Sequence, residues 1–303
     1  MGWREPELFD VEVPGGALRV ARWGLGGTAV LASHGITANH RTFAEVAAQF
    51  AELDADVSLY AVDHRGRGGS AALPGPYGLA RHADDLIAVL DQLEVADAVL
   101  IGHSMGAFVA ANAAVRSPDR ISGLVLVDGG LPIELHLPPE TDIEQVVRAV
   151  IGPSLDRLDT TFASPEEYLA SWQAHPAFQG EAWNDVVAAY VAYDLVADGD
   201  RWRSPVVKAA VLEDGGGLLR DHAVRTAIER TTVPTTLLVA ARGLLDQEPG
   251  LYPPGVADLV TAGLRHVTTR MIDDVNHYSV IFSPRGAREV ADTILRTLAV
   301  RAQ

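Results

Sequence analysis

The 303-residue chain contains no cysteine. This absence excludes disulfide bonds, thiolate nucleophiles and zinc or iron–sulfur sites built on cysteine. Long hydrophobic runs are also missing, because no stretch approaches the roughly 18 uninterrupted apolar residues of a membrane-spanning helix. The longest candidates, Ala107–Val115 and Val186–Ala197, are interrupted by Asn112 and Asp194. We therefore expect no membrane partner.

Basic residues are scarce, with 24 Lys and Arg against 40 Asp and Glu and a formal net charge of −16. Such a surface repels phosphate backbones, so we expect no nucleic-acid partner, and strongly anionic substrates are disfavoured. The sequence has no phosphate-binding Gly-Lys-Ser/Thr motif, no His-Glu-x-x-His and no spaced carboxylate loop, and we expect neither a cofactor nor a metal. Residues 1–6 contain no apolar segment, which predicts a cytoplasmic protein.

Short apolar runs alternate with helical patterns over the first third of the chain. Thr28–Ser33 and Ala98–Ile101 are apolar in a way that is typical of buried parallel strands. Between such runs, Arg41–Glu52 and Leu79–Leu93 carry the spacing of amphipathic helices. This rhythm predicts an α/β fold with a mostly parallel central sheet flanked by helices.

The alternation of strand and helix patterns ends after Val127. From residue 131 to residue 233 the patterns are almost all helical, and strand patterns return at Pro234–Ala241. We interpret residues 1–130 and 234–303 as one α/β core, into which residues 131–233 are inserted as a helical cap.

The predicted cap carries two capping boxes, Thr141-Asp142-Ile143-Glu144 and Ser164-Pro165-Glu166-Glu167, that mark helix starts. Gly215-Gly216-Gly217 is interpreted as a flexible joint. The cap is also rich in aromatic side chains, which either line an apolar pocket or form the core of the cap itself. These side chains are Trp172, Phe178, Trp183, Tyr190 and Tyr193.

Gly102-His103-Ser104-Met105-Gly106 has the pattern G-x-S-x-G and lies between a predicted strand and a predicted helix. A serine at such a tight turn is held in a strained backbone conformation that exposes its hydroxyl, and the flanking glycines avoid collisions with neighbouring elements. We predict Ser104 as a nucleophile. The alternative is a glycine-rich turn with a capping serine.

Two further segments follow earlier predicted strands. Ser33-His34-Gly35-Ile36-Thr37 places the backbone N–H of Ile36 where, together with that of Met105, it can stabilise the oxyanion of an acyl-transfer intermediate. We expect His34 to brace this loop by hydrogen bonds. The second segment, Asp63–Ser70, contains a G-x-G-x-x-A pattern with Ala71, but it lacks the following helix and distant acid of a dinucleotide site.

Taken in order, these residues and a later Asp and His read HG…DxRGxGxS…GHSMG…D…H. The string resembles the α/β-hydrolase superfamily, in particular its cap-bearing serine esterases and lactonases. The resemblance covers both predicted sheet segments and does not extend into the cap. It implies a Ser-Asp-His triad in that chain order, with the base on the loop after the last strand.

On this resemblance, His277 is the base, because it follows the last predicted strand, whereas His266 opens that strand. The acid is expected to be Asp246, just after the strand Thr236–Ala241, which is the commoner position in the family. Asp128 is the alternative, since some relatives carry the acid at the end of the earlier strand. Asp128 also fits a simple turn residue before two glycines.

A serine nucleophile suits acyl carbonyls, whereas the epoxide hydrolases and haloalkane dehalogenases of the family attack saturated carbon with a carboxylate. We therefore expect a cofactor-free hydrolase of a small hydrophobic carboxylic ester or lactone, acting through an acyl-enzyme. Two alternatives stay open: a carbon–carbon bond hydrolase of ring-cleavage products, and a small-molecule binding protein on a hydrolase scaffold. The sequence leaves the oligomeric state open.

Overall fold

The computed structural model of the chain describes residues 5–132, 138 and 140–301. Residues 1–4, residues 302 and 303, and residues 133–137 and 139 of the predicted cap lie outside the described residues. The strands, in chain order, are β1 (Glu7–Val13), β2 (Gly16–Trp23), β3 (Thr28–Ser33), β4 (Val57–Val62), β5 (Ala98–His103), β6 (Ile121–Val127), β7 (Val196–Asp198), β8 (Arg201–Arg203), β9 (Thr235–Arg242) and β10 (Val267–Asn276).

The helices, in chain order, are α1 (Ala44–Glu52), α2 (Leu79–Gln92), α3 (Met105–Arg116), α4 (Ile143–Leu158), α5 (Pro165–Gln173), α6 (Asp185–Tyr193), α7 (Lys208–Arg220), α8 (His222–Arg225), α9 (Ala227–Arg230), α10 (Val256–Thr261), α11 (Ser279–Phe282) and α12 (Pro284–Arg301). Short 3₁₀ turns precede α1 and follow β4 and α3. All helices of the described residues fall short of the length and apolarity that crossing a bilayer requires.

Eight strands form one sheet in the order β1-β2-β4-β3-β5-β6-β9-β10. The pairs from β4 to β10 are parallel, and only the pairs that involve β2 are antiparallel. The small β7–β8 hairpin forms a separate two-stranded sheet. The prediction of an α/β fold with a mostly parallel central sheet is confirmed.

The sheet is buried on both faces because its central strands are apolar along their whole length. In β5, Val99 and Ile101 point into the core layer that contains α1 and α12, whereas Leu100 points into the opposite layer with α2 and α3. This alternation follows from the two-residue period of a strand. The apolar run at 98–101 thus predicts a strand with helices on both sides, as observed.

The chain between β6 and β9 carries α4 to α9 and the β7–β8 hairpin. The Ser164 hydroxyl accepts from the backbone N–H of Glu167, so the predicted N-cap is present at the start of α5, while the Glu167 carboxylate accepts from the N–H of Ala163 and not from that of Ser164. At α4, however, Asp142 rather than Thr141 is the capping residue, because its carboxylate accepts from the N–H of Glu144.

Gly215-Gly216-Gly217 lies inside α7, so its interpretation as a flexible joint is wrong. Glycine is needed there for close packing, since a Cβ on Gly215 would lie 2.5 Å from the side chain of Val147 in α4. The missing side chain lets α4 and α7 approach each other. These two helices form one side of the cavity described below.

Four of the five aromatic side chains of the predicted cap pack in or against the hydrophobic core, whereas the half-buried Tyr193 donates its hydroxyl to Asp63. Trp172, Phe178 and Tyr190 are buried and belong to the same apolar layer as Phe282 of α11. The rings of Tyr190 and Phe282 have centroids 4.9 Å apart, a typical distance for an aromatic pair. Of the two alternatives, core formation is the one observed.

A buried ion pair fixes the loop after β4 to α2. The Arg65 guanidinium donates two hydrogen bonds, of 2.5 and 2.8 Å, to the carboxylate of Asp85, and both side chains are buried. The neighbouring Asp84 instead pairs with Arg116 at the surface, where both side chains are more than 40% exposed. Two adjacent carboxylates of one helix thus form ion pairs that differ strongly in burial.

Asp85→Asn is expected to lower the free energy of unfolding by about 3 kcal/mol, because Arg65 would stay buried without a counter-charge. Asp84→Asn should change it by less than about 1 kcal/mol, since exposed ion pairs contribute little. Urea unfolding of both variants measures the difference. Equal effects of the two substitutions would contradict this account of the β4–α2 contact.

Candidate active site

The carboxyl ends of β3, β5, β6 and β10 lie at one edge of the sheet, because these strands run parallel. The residues that follow them include Ile36, Ser104, Asp128 and His277, respectively. Ligand sites of parallel α/β sheets form at this edge. Four segments that are distant in sequence thus meet at one place.

Ser104 lies at the sharp turn between β5 and α3 with φ 57° and ψ −123°, a conformation that is unfavourable for a residue with a side chain. Close backbone contacts hold it there. A Cβ on Gly106 would lie 1.9 Å from the carbonyl oxygen of Ser33, and a Cβ on Gly129 would lie 2.2 Å from that of Ser104. Both motif glycines, together with Gly129 after β6, are therefore required by the packing of the turn, since a Cβ on Gly102 would also lie 2.2 Å from the carbonyl oxygen of Gly106.

His277 follows β10 directly and is held by Asp128. Its Nδ1 lies 2.7 Å from Oδ2 of Asp128, and both side chains are buried. The second carboxylate oxygen of Asp128 accepts from the backbone N–H of Ala240. A proton on Nδ1 that is donated to Asp128 leaves Nε2 of His277 as an acceptor.

Asp246 does not contact His277, so the expected position of the acid is corrected. Its side chain is 38% exposed, accepts from Nδ2 of Asn276 and lies 3.0 Å from Nε of Arg242. Asp246 lies four residues beyond the end of β9, and the intervening turn carries it away from the histidine. Asp128 directly follows β6, which pairs with β9 and places the carboxylate beside His277.

The other candidate histidines have structural partners. Nε2 of His266 lies 3.0 Å from the carbonyl oxygen of Ile228, away from the serine. His34 braces its loop as expected: Nδ1 donates to the carbonyl of Gly35, and Nε2 accepts from the backbone N–H of His64. Burial lowers the pKa of His34 to about 3, which keeps this ring neutral at pH 7.

The loop after β3 is held so that its amide groups have fixed directions. The Gly35 carbonyl accepts from His34 and from the backbone N–H of Ala38. Because the C=O and N–H of a trans peptide point in opposite directions, this fixes the N–H of Ile36 on the other side of the peptide. Met105 is the first residue of α3, so its N–H has no acceptor within the helix. Their role as an oxyanion hole stays a prediction.

Ser104 and His277 line one cavity of about 50 Å³. The other described residues that line it are mostly apolar and come from the sheet edge, from α4 and α7, and from the segment after β9. They are Ile36, Met105, Phe108, Asp128, Gly129, Val147, Val150, Ile151, Gly215, Leu218, Leu219, Leu244, Leu251 and Tyr252. None of these described lining residues is Lys or Arg, and none is one of the five cap aromatics.

Sequence reasoning missed the cavity wall that α4 and α7 supply. Periodicity predicts that Val147 and Val150 share one helical face, but it does not say which part of the sheet that face meets. One signal was available for Asp128: the two glycines after it indicate a close backbone approach, which the contact between Gly129 and Ser104 bears out. Within the described residues, no group of three or more His, Asp or Glu side chains could hold a metal ion.

Comparison with known proteins supports the fold and shows the family. A family model for the alpha/beta hydrolase fold matches residues 28–284, and the chain belongs to this family of hydrolases. The chain is 37% identical over 90 residues to carbamate hydrolase RutD of Klebsiella pneumoniae (strain 342), a match that covers 29% of this chain and 34% of the relative. It is 31% identical over 156 residues to lipase LipV of Mycobacterium tuberculosis, covering 51% and 56%.

The chain thus matches between about a third and somewhat over half of the length of these relatives. Among solved structures, E-2-(acetamidomethylene)succinate hydrolase superposes with a TM-score of 0.76 over 97% of this chain and 99% of the other, at 19% sequence identity. A likeness at that identity supports the fold.

A second buried histidine adjoins the site. Nε2 of His103 donates to the carbonyl oxygen of His277, and burial lowers the pKa of His103 to about 3. An unfolded histidine binds a proton with a pKa near 6.5, so the unfolded chain takes up more protons between pH 6.5 and 3. Stability contributed by His34 and His103 is therefore present at neutral pH and lost as the pH falls.

Lowering the pH from 7 to 5 should cost the folded state about 2 kcal/mol for each of these two histidines. His103→Gln should recover about 2 kcal/mol of the wild-type loss, measured as the difference in urea unfolding free energy between the two pH values. His222→Gln, on the exposed side of α8, controls for the removal of one histidine. If His103→Gln loses as much stability as wild type, His103 is not buried in its neutral form.

Proposed function

We propose that this α/β hydrolase cleaves a carboxylic ester or lactone of an uncharged, apolar acyl group through an acyl-enzyme on Ser104. The observation that carries the proposal is one arrangement of three side chains. A serine in a strained turn shares an apolar cavity with a histidine whose Nδ1 is bound to a buried carboxylate, Asp128. Such an arrangement activates a hydroxyl for attack on a carbonyl.

In the first half of the reaction, Oγ of Ser104 bonds to the acyl carbon, and its proton passes to Nε2 of His277. Asp128 stabilises the imidazolium that forms and keeps the ring oriented. The carbonyl oxygen becomes an oxyanion, which accepts hydrogen bonds from the N–H groups of Ile36 and Met105. The imidazolium then gives its proton to the departing alkoxide, and the alcohol leaves.

In the second half, a water molecule attacks the acyl-enzyme while His277 takes one of its protons. The same N–H groups stabilise the second oxyanion. Collapse of this intermediate returns the proton to Oγ of Ser104 and releases the carboxylic acid. In a lactone the acid and the alcohol remain one molecule.

The cavity favours a neutral substrate. Its described lining is apolar apart from the triad residues and Tyr252, whose hydroxyl already donates to the carbonyl of Leu131. An anionic acyl group would lose its hydration without gaining a cationic partner, which costs several kcal/mol. At about 50 Å³ the cavity also suits a short acyl chain. The relatives named as a carbamate hydrolase and a lipase are consistent with chemistry at an acyl carbonyl.

A matched pair of substrates tests the proposal. One is p-nitrophenyl butyrate, and the other is the mono-p-nitrophenyl ester of succinic acid, in which a carboxylate replaces the terminal methyl group of the same four-carbon chain. We expect kcat/KM to be at least about 100-fold higher for the butyrate, because the carboxylate is desolvated without a partner. γ-Butyrolactone and longer lactones extend the series.

Three results would contradict the proposal. Cleavage of a vinylogous diketone without ester turnover would indicate a carbon–carbon bond hydrolase. Retention of a small molecule without turnover of any ester or lactone would indicate a binding protein. Preference for the succinate ester would contradict the neutral substrate class.

The identity of the acid is tested by two isosteric substitutions. Asp128→Asn is expected to lower kcat by a factor on the order of 10³ to 10⁴, since the amide no longer stabilises the imidazolium or selects the tautomer of His277. Asp246→Asn is expected to change kcat by about fivefold at most, because its carboxylate is exposed and paired with Arg242. Steady-state kinetics on p-nitrophenyl butyrate compares them, and a larger loss for Asp246→Asn would refute the assignment of Asp128.

A further inference from the structure

Arg67 is fully buried beneath the loop that carries Ile36. Its Nε donates to the carbonyl oxygen of Ile36 at 2.9 Å, and its Nη1 donates to the carbonyl of Arg65 at 2.9 Å. The bond to Ile36 restrains the peptide that follows the proposed oxyanion donor. Nothing in the triad requires a buried guanidinium at this position.

The counter-charge of Arg67 comes from α7, across the cavity wall. Oδ2 of Asp214 lies 2.6 Å from Nη1 of Arg67 and 2.9 Å from Nε2 of His82. The other carboxylate oxygen accepts from the backbone N–H of Gly78 at 2.6 Å. Asp214 is therefore fully buried with one ion-pair partner and two hydrogen-bond donors, all of which lie between β4 and β5 in the chain.

Asp214 is ionised at neutral pH. Burial by itself would raise the pKa of this carboxyl, but the Arg67 guanidinium and His82 lower it to about 2. The contact between α7 and the β4–α2 region is thus a charged one in a dry environment. A charged contact of this kind has a defined geometry, because both ions lose much when it is broken.

The same helix also forms part of the cavity. Gly215, Leu218 and Leu219 of α7 line the space in front of Ser104. The residue next to Gly215 is Asp214, which forms the ion pair with Arg67. Arg67 in turn donates to the carbonyl oxygen of Ile36. One helix therefore contacts the substrate space with one side and, through a single ion pair, restrains the loop of the proposed oxyanion hole.

We propose that Arg67 is a positioning residue. Its ion pair with Asp214 couples the packing of α7 over the cavity to the position of the Ile36 N–H. The inference rests on the proposed function, in which that N–H stabilises the oxyanion. When α7 is packed over the cavity, the charge of Arg67 is balanced by Asp214, and its Nε is directed at the carbonyl oxygen of Ile36. When α7 is displaced, Arg67 loses its counter-charge and the loop loses its restraint.

The consequence is specific to the transition state. A displaced Ile36 N–H weakens the stabilisation of a tetrahedral oxyanion and leaves the contacts to the acyl chain in place. A misplacement of about 1 Å costs up to roughly 100-fold in rate. Loss of the ion pair should therefore lower kcat and leave KM nearly unchanged, whereas a merely loosened cavity wall would raise KM.

The test compares Asp214→Asn, which removes the charge and keeps the shape, with Tyr193→Phe as a matched control. The Tyr193 hydroxyl of α6 donates to buried Asp63 after β4 at 2.8 Å, and it also joins the inserted segment to the sheet region. Tyr193 makes no hydrogen bond to Ile36 or Arg67. Arg67→Lys is the second test variant, because one ammonium cannot reproduce both the hydrogen bond to Ile36 and the ion pair with Asp214.

Two ketones distinguish the stabilisation of the oxyanion from the other contributions to the free energy of binding. A trifluoromethyl ketone with a short alkyl chain adds to the serine hydroxyl and forms a tetrahedral oxyanion, whereas the corresponding methyl ketone binds without addition. For Asp214→Asn and Arg67→Lys we expect kcat on p-nitrophenyl butyrate and affinity for the trifluoromethyl ketone to fall together, by about 10- to 100-fold. The Kd of the methyl ketone and KM should stay within about threefold of wild type. Tyr193→Phe should leave the ratio of the two ketone affinities unchanged.

Equal losses of affinity for both ketones would overturn the inference, since they would indicate a general disturbance of the cavity. Unchanged kinetics in both test variants would overturn it as well. Failure of the proposed function looks different: wild type itself would then neither turn over the ester nor bind the trifluoromethyl ketone more tightly than the methyl ketone. If Asp214→Asn does not fold, Arg67→Lys decides the outcome by the same ratio.

Discussion

The close backbone contact at the β5–α3 turn is the constraint on which the site depends. Ser104 is held at positive φ because Gly106 packs against the end of β3 and Gly129 packs against the serine carbonyl. These contacts leave no room for a Cβ on either glycine. The turn, the β3 loop and the end of β6 are therefore fixed relative to one another, and the positions of Ile36 and Asp128 follow from that of Ser104.

Several carboxylates are buried beside a basic partner in this chain of net charge −16, and two of these pairings adjoin the cavity. Asp128 faces His277, and Asp214 faces Arg67 and His82. Each buried carboxylate has its own donors, as its desolvation requires. The cavity between them has no Lys or Arg among its described lining residues, so the edge of the sheet offers an anionic group no cationic partner there.

The sequence alone predicted the parallel sheet, the serine turn and the position of His277 after the last strand, because apolar runs, glycine spacing and strand ends are local features. It failed where the answer depends on how distant segments pair. Asp128 and His277 are 149 residues apart, and the choice between Asp128 and Asp246 depends on the turn after β9. The role of α7 was also beyond local reasoning: Asp214 finds Arg67 only once the inserted helices are packed on the sheet.

The most direct test of the central claim is the intact mass of the protein after exposure to a small, uncharged fluorophosphonate, for wild type and Ser104→Ala side by side. An activated serine attacks phosphorus and retains the phosphonyl group, whereas ordinary surface serines do not react. The account predicts a single adduct on wild type and none on Ser104→Ala. An unmodified wild type, or an adduct of equal yield on Ser104→Ala, would contradict it.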